Sequence, residues 1–290
     1  MVAIDLGSNT LRFIEFDGKR WGKSFEKIVR TAEGLHQTHR IGEPAIGRII
    51  NAINEAKHII DFTAQPIRAY TTAAMRIASN ADETLALIAQ ASGIRFDIID
   101  GEKEAILTLD AVRNRLRILG IEPASFLLAD IGGGSTELTR YCDSQIETLS
   151  LNFGIVTLSE AGLNQPDDKM QSFKIALQET FSHRSEPLIL TAGTPTTIAA
   201  YLNGMDYESY DPKKVNGYHL TLSDCYSVYD ALLAMDEVER RRYVGVGREN
   251  LIITGILMVT AIYEAVGADE AIIIDDGLRE GIALEYYKLH

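Results

Sequence analysis

The chain has 290 residues, 46% hydrophobic and 24% charged, which suits one large or two medium globular domains rather than a low-complexity or fibrous class. Its formal charge of −13 disfavours non-specific binding to DNA, RNA or an anionic membrane, so no nucleic acid and no membrane is expected as a partner. Two cysteines, Cys142 and Cys225, make no disulfide framework and read as thiols of a cytoplasmic protein.

Met1 leads straight into a strand-like run, without a basic-then-apolar leader. "VAIDL" and "LRFIEF" read as strands separated by "GSNT". Pro44 opens a helix whose Ile46, Ile49, Ile50, Ile53 and Ile60 fall at helical spacing. "IRAYTT" reads as a strand, "ADETLALIAQASG" as a helix ending at Gly93, "RFDIID" as a strand, and "EKEAILTLDAV" as the start of a helix. After Pro123 the pattern restarts with three strand-like runs, "FLLAD", "STELTRY" and "IETLSL". Later come the strand "LILTAG", a helix from Thr194, a strongly apolar helix from Leu251, the strand "AIIID" and a terminal helix from Gly277. The apolar run 251–268 carries Glu264, two threonines and two glycines and reads as a buried core helix rather than a membrane span.

An internal echo organises these elements. "IDLGSNTLRFIEFDGK" opens the chain, and "ADIGGGSTELTRYCDS" follows 125 positions later, pairing Asp5 with Asp130, Gly7 with Gly132 and Thr10 with Ser135. Each copy is a strand, an acidic residue, a glycine-bearing turn and a second strand. Such a turn gathers backbone N–H groups into one concavity, which suits an anion, and glycine lets a phosphate approach the main chain. Gly7, Ser8, Asn9 and Thr10 form the first candidate phosphate turn; Gly132, Gly133, Gly134, Ser135 and Thr136 form the second. Asp130 and Glu137 would repel a bare phosphate. They become consistent with it if a divalent cation lies between, since Mg²⁺ (or Mn²⁺) commonly takes one or two carboxylates plus phosphate oxygens. Asp5 is the mirrored carboxylate, open as a metal ligand or as a structural turn former.

The two turns resemble the phosphate loops of the actin/Hsp70/sugar-kinase superfamily. Within it the chain is similar to the exopolyphosphatase/guanosine pentaphosphatase (Ppx/GppA) family. The match runs through "AIDLGSNTLR" (3–12), "AYTTAAMRIA" (69–78), "IIDGEKEA" (98–105), "LLADIGGGSTEL" (127–138), "TAGTPTTIAA" (191–200) and "DDGLREGI" (275–282), in the family's order and across nearly the whole chain. The resemblance implies an α/β protein of two ribonuclease-H-like domains facing across a cleft. The first lobe is expected at 1–120, with helix 277–290 packing back on it, and the second at 121–276.

The resemblance also implies roles. Glu104 takes the place of the general base that activates a water, Asp130 and Glu137 those of the metal-site acids, and Arg76 that of a phosphate-binding arginine, with Arg12 expected to act likewise. Lys103 departs from the pattern, standing where a second acidic residue is common. Thr194 lies in the counterpart of a nucleoside-binding segment, altered by Pro195, so Thr194 and Thr197 are the candidate contacts for a guanosine. "GVGRENL" (245–251) carries no assigned role, and "HQTH" (36–39) lacks the companions of a zinc site.

The activity implied is Mg²⁺-dependent release of terminal phosphate from inorganic polyphosphate, short chains favoured, or from guanosine pentaphosphate in the stringent response. A superfamily ATPase or kinase and a non-catalytic polyphosphate or alarmone sensor are the alternatives. The closing helix and the 251–266 segment are open to a homodimer or to core burial.

Overall fold

A computed structural model of the chain describes residues 1–63, 65–162, 166–181 and 186–289. Along the chain these form β1 (Val2–Leu6), β2 (Thr10–Phe16), β3 (Trp21–Ile28), α1 (Leu35–Thr38), α2 (Glu43–Ala56), β4 (Ile67–Thr71), α3 (Ala73–Ile77), α4 (Ala81–Ser92), β5 (Asp97–Ile98) and α5 (Gly101–Leu119). There follow β6 (Ser125–Ile131), β7 (Thr136–Cys142), β8 (Gln145–Leu151), α6 (Ile155–Gly162), α7 (Pro166–Phe181), β9 (Leu188–Thr191) and α8 (Gly193–Leu202). The chain ends with α9 (Pro212–Val215), β10 (Tyr218–Thr221), α10 (Leu222–Ala234), α11 (Glu237–Val244), α12 (Leu251–Val266), β11 (Glu270–Ile273) and α13 (Leu278–Leu289).

The chain divides into two compact units, 1–111 with 277–290, and 112–276. The division falls inside α5, earlier than the boundary near 120 read from the sequence, because the helix runs on without any break in composition to mark the crossing. Position 290 lies outside the described residues.

In the first unit the strands lie in the order β3-β2-β1-β4-β5. The β3-β2-β1 half is antiparallel and the β1-β4-β5 half parallel. The second sheet, β10-β11-β9-β6-β7-β8, repeats that order from β8 through β7, β6 and β9 to β11, then adds β10 antiparallel on its edge. Both sheets therefore have the ribonuclease-H-like order, in an α/β fold, as the sequence led us to expect.

The central strands are apolar because they are covered on both faces. Every residue of β1 and β9 is buried. Helix α2 has Pro44 in its first turn and buries Ala45, Ile49, Ala52, Ile53 and Ala56, the stripe of a helix packed on one side. It stops at Ala56, so Ile60 is buried from the following turn rather than from the helix. "RFDIID" yields only Asp97–Ile98 as strand, since an edge position offers β4 as its neighbour on one side alone.

Helix α12 is buried nearly all round and packs against α6, α7, α8 and α10 in the core of the second unit. Among the described residues no helix is long and apolar enough to cross a membrane. In the first unit α13 packs on β1, β2 and β4, burying Leu278, Ile282 and Ala283 beside Met1, Ala3 and Ile14.

Candidate active site

The first turn is closed by Leu6 opposite Leu11, with Gly7 N–H donating to Thr10 O at 3.0 Å. The chain leaving β3 comes back under it. Val29 N–H and Arg30 N–H both donate to Asn9 O, and Ala32 N–H donates to Ser8 O at 2.8 Å. The turn's carbonyls are thus taken by segment 29–32. Its polar side chains are not: Ser8 Oγ and Asn9 Oδ1 are buried with no hydrogen-bond partner among the described residues. Leaving such a group unmet costs about 1–3 kcal/mol, so these atoms mark a place where a ligand or water completes the structure.

On one face of this sheet Asp5 stands opposite Arg12, and Arg12 opposite Glu26. Arg12 Nε donates to Glu26 Oε2 at 2.9 Å, and its Nη1 lies 4.0 Å from Asp5 Oδ2. A guanidinium therefore sits between two carboxylates.

The second turn repeats the geometry. Ile131 stands opposite Thr136, and Gly132 N–H donates to Ser135 O at 3.0 Å. The chain leaving β8 again returns to brace it. Ile155 N–H donates to Gly132 O at 3.0 Å and Val156 N–H to Gly133 O at 2.8 Å. Gly154 lies against the Gly133–Gly134 peptide so closely that a Cβ there would collide with it. Thr136 Oγ1 donates to Phe153 O at 2.7 Å, so this hydroxyl serves the brace.

In the matching cross-strand row Asp130 stands opposite Glu137, and Glu137 opposite Ser150. Ser150 Oγ donates to Glu137 Oε1 at 2.8 Å, and Glu137 is only 2% exposed. Directly opposed residues of an antiparallel pair project their side chains to the same face, roughly 5 Å apart at Cβ. Among the described residues no group of three or more acidic, imidazole or thiol side chains is placed to hold a metal. Two carboxylates side by side next to a glycine turn nevertheless fit Mg²⁺, which takes one or two from the protein and completes its shell with other oxygens.

Glu104 lies in the first turn of α5, its N–H bonded to Asp100 O at 3.1 Å. Arg76, on α3, donates from Nη1 to Glu104 Oε2 at 2.8 Å and to Ile99 O at 2.9 Å. Their side chains are 20% and 12% exposed. Two residues singled out separately in the sequence are therefore one ion pair. Lys103, the neighbour of Glu104, turns elsewhere and pairs with Glu285 on α13.

The β9–α8 junction carries Ala192 at φ 78°, ψ 179°, a conformation that strains any residue but glycine. Thr194 is 1% exposed and packs against Gly255 of α12. Thr197 Oγ1 donates to Gly193 O at 2.6 Å. Arg248, from the segment without an assigned role, lays its guanidinium against Gly193.

A family model describing the Ppx/GppA phosphatase family matches residues 23–290. The chain belongs to that family. Exopolyphosphatase 2 of Mycobacterium tuberculosis is 27% identical, across 98% of this chain and 97% of its own. The crystal structure of the Aquifex aeolicus Ppx/GppA family member is 28% identical and matches with a TM-score of 0.78, over 99% of this chain and 97% of that one. An exopolyphosphatase from Cytophaga hutchinsonii, 20% identical, shares the fold with a TM-score of 0.78 over 99% of this chain and 97% of that one.

The sequence reading passed over several partners in this Ppx/GppA chain: the braces 29–32 and 153–157, and the row members Glu26 and Ser150. The sequence carries little signal for them, because β3 is half exposed on the sheet edge and its side-chain partners follow from strand register. His36 and His39 are exposed, Cys142 and Cys225 are free, and burial pushes the Cys225 thiol up to about 12.

Proposed function

We propose that this Ppx/GppA chain is an exopolyphosphatase that removes terminal phosphate from short inorganic polyphosphates with the help of Mg²⁺ or Mn²⁺. The observation that carries this reading is the Asp130–Glu137 pair on one sheet face beside the braced glycine turn. Bound there, the cation would neutralise phosphate oxygens and favour charge build-up on the transferring group.

The chain's own residues do the rest. The turns at 7–10 and 132–135 bind phosphate oxygens through backbone N–H groups, with Ser8 adding its hydroxyl. Arg12 and Arg76 supply fixed positive charge. Arg76 also holds the Glu104 carboxylate in one orientation. Glu104 accepts a proton from a water, whose oxygen attacks the terminal phosphorus in line. The bond from that phosphorus to the bridging oxygen breaks, and the shortened chain leaves with the electron pair.

Guanosine pentaphosphate presents the same terminal linkage and is the second substrate of this reading. The geometry at α8 favours inorganic polyphosphate over it. Thr194 is buried under α12, and the Thr197 hydroxyl is spent on Gly193 O, so neither offers a ready contact to a nucleoside.

The test is phosphate release from short-chain polyphosphate and from guanosine pentaphosphate, side by side, with Mg²⁺, with Mn²⁺ and with EDTA. Release from polyphosphate that EDTA abolishes is expected, with Glu104→Gln lowering kcat at least about a hundredfold while polyphosphate binding persists. Folded protein that releases phosphate from neither substrate would return the chain to the ATPase or sensor alternatives.

A further inference from the structure

We propose that Lys103, acting through Glu285 on α13, is a positioning residue that fixes the first turn of α5 and so aims the Glu104 carboxylate. This rests on the reading of Glu104 as the base.

A lysine in the first turn of a helix is at the unfavourable end of the helix dipole. Its presence there calls for a specific partner, and Glu285 is that partner. Successive helical residues point about 100° apart, so Lys103 and Glu104 hold the same turn from two directions. Glu104 is tied to Arg76 on α3, and Lys103 to Glu285 on α13. Asp100 Oδ1 adds a third tie, accepting from Lys103 N–H at 2.8 Å.

The anchor at the far end is itself fixed without help from Lys103. Helix α13 is seated on β1, β2 and β4. Gly281 lies against the Leu107 carbonyl of α5, where any side chain would collide. Tyr287 OH donates to Phe16 O at 3.1 Å. Glu285 is only 19% exposed at its side chain, and Tyr70 OH on β4 donates to its Oε2 at 3.4 Å. Burial, and next the Glu285 carboxylate, raise the Tyr70 phenol above its ordinary value, in keeping with the two sharing a sheltered site. The carboxylate that Lys103 reaches is thus a fixed point on the sheet, not a mobile surface acid. Displacing a catalytic group by even an ångström can cost a hundredfold in rate.

The experiment measures steady-state phosphate release from short-chain polyphosphate with Mg²⁺, together with melting temperature, for the full chain and its variants. Lys103→Met, which keeps the aliphatic stem, and Glu285→Gln are each expected to lower kcat about tenfold, with KM and melting temperature nearly unchanged. Lys103→Glu should lose more, because it sets two carboxylates together, and the double exchange Lys103→Glu with Glu285→Lys should recover most of the rate. A purely structural contact would lower the melting temperature without this selective loss in kcat. An active wild type whose Lys103→Met and Glu285→Gln variants keep its kcat overturns the positioning role alone, as does a double exchange that recovers nothing. An inactive wild type overturns the hydrolase reading and this one with it.

Discussion

The two hairpins share a backbone and differ in charge. In the first, the row across β1, β2 and β3 is Asp5, Arg12, Glu26; in the second, the row across β6, β7 and β8 is Asp130, Glu137, Ser150. Both turns span four residues closed by the same glycine N–H bond, and both are braced by the chain leaving the third strand. The position that holds a guanidinium in one copy holds a carboxylate in the other. A guanidinium can neutralise its acidic neighbours and meet a phosphate directly. A pair of carboxylates can meet phosphate only through a cation. Under the proposed function, one duplicated device would serve an anion in one copy and a cation in the other, the two rows sharing their first acid and differing at the other two positions.

The largest test of this contrast is on the second row. Asp130→Asn or Glu137→Gln should lower phosphate release at least about a hundredfold and raise the Mg²⁺ concentration needed, since a bound cation is worth several kcal/mol of transition-state stabilisation. Unchanged activity and metal requirement in both variants would make the row structural. A smaller effect is expected on the first row. Arg12→Gln should raise KM for short-chain polyphosphate by about tenfold, the scale of one charge-assisted hydrogen bond, and leave the metal requirement alone. Asp5→Asn should likewise keep the metal requirement of the wild type; a shifted Mg²⁺ titration would put a cation in the first hairpin too and erase the contrast.

The smallest effect is expected at Ser8. Its hydroxyl is buried and unmet among the described residues. Ser8→Ala should therefore leave the melting temperature the same or higher, because an unsatisfied group costs about 1–3 kcal/mol, and should raise KM about threefold. A clear drop in melting temperature would show that the hydroxyl has a structural partner instead.

Much of this was legible in the sequence. The echo that aligns Asp5 with Asp130 and Thr10 with Ser135 matches their places in the two hairpins: each acid stands one residue before the last paired position, and Thr10 O and Ser135 O each accept from the first glycine N–H of their turn. A turn's chemistry is local: the glycines, the acid before them and the apolar strands on either side are contiguous. The family motifs named Arg76 and Glu104, 28 positions apart, but not that they would join. Nor did anything local show that Thr136 and Thr197 would spend their hydroxyls on main-chain oxygens. Strand β3 was missed because "WGKSFEKI" is half exposed on the sheet edge and lacks a clean apolar alternation.

By itself, then, the sequence determined the fold class, the two turns and the acids beside them, since hydrophobic period and turn chemistry act over a few neighbouring residues. Only the tertiary structure decided which side chains share a face or a pair. A slip of one residue in β3 or β8 would send Glu26 or Ser150 to the opposite face. Lys103 meets Glu285, 182 positions away, only because α13 is seated on β1, β2 and β4 with its Gly281 against Leu107 of α5. Those partners are chosen by strand register and helix packing, which no short stretch of sequence contains.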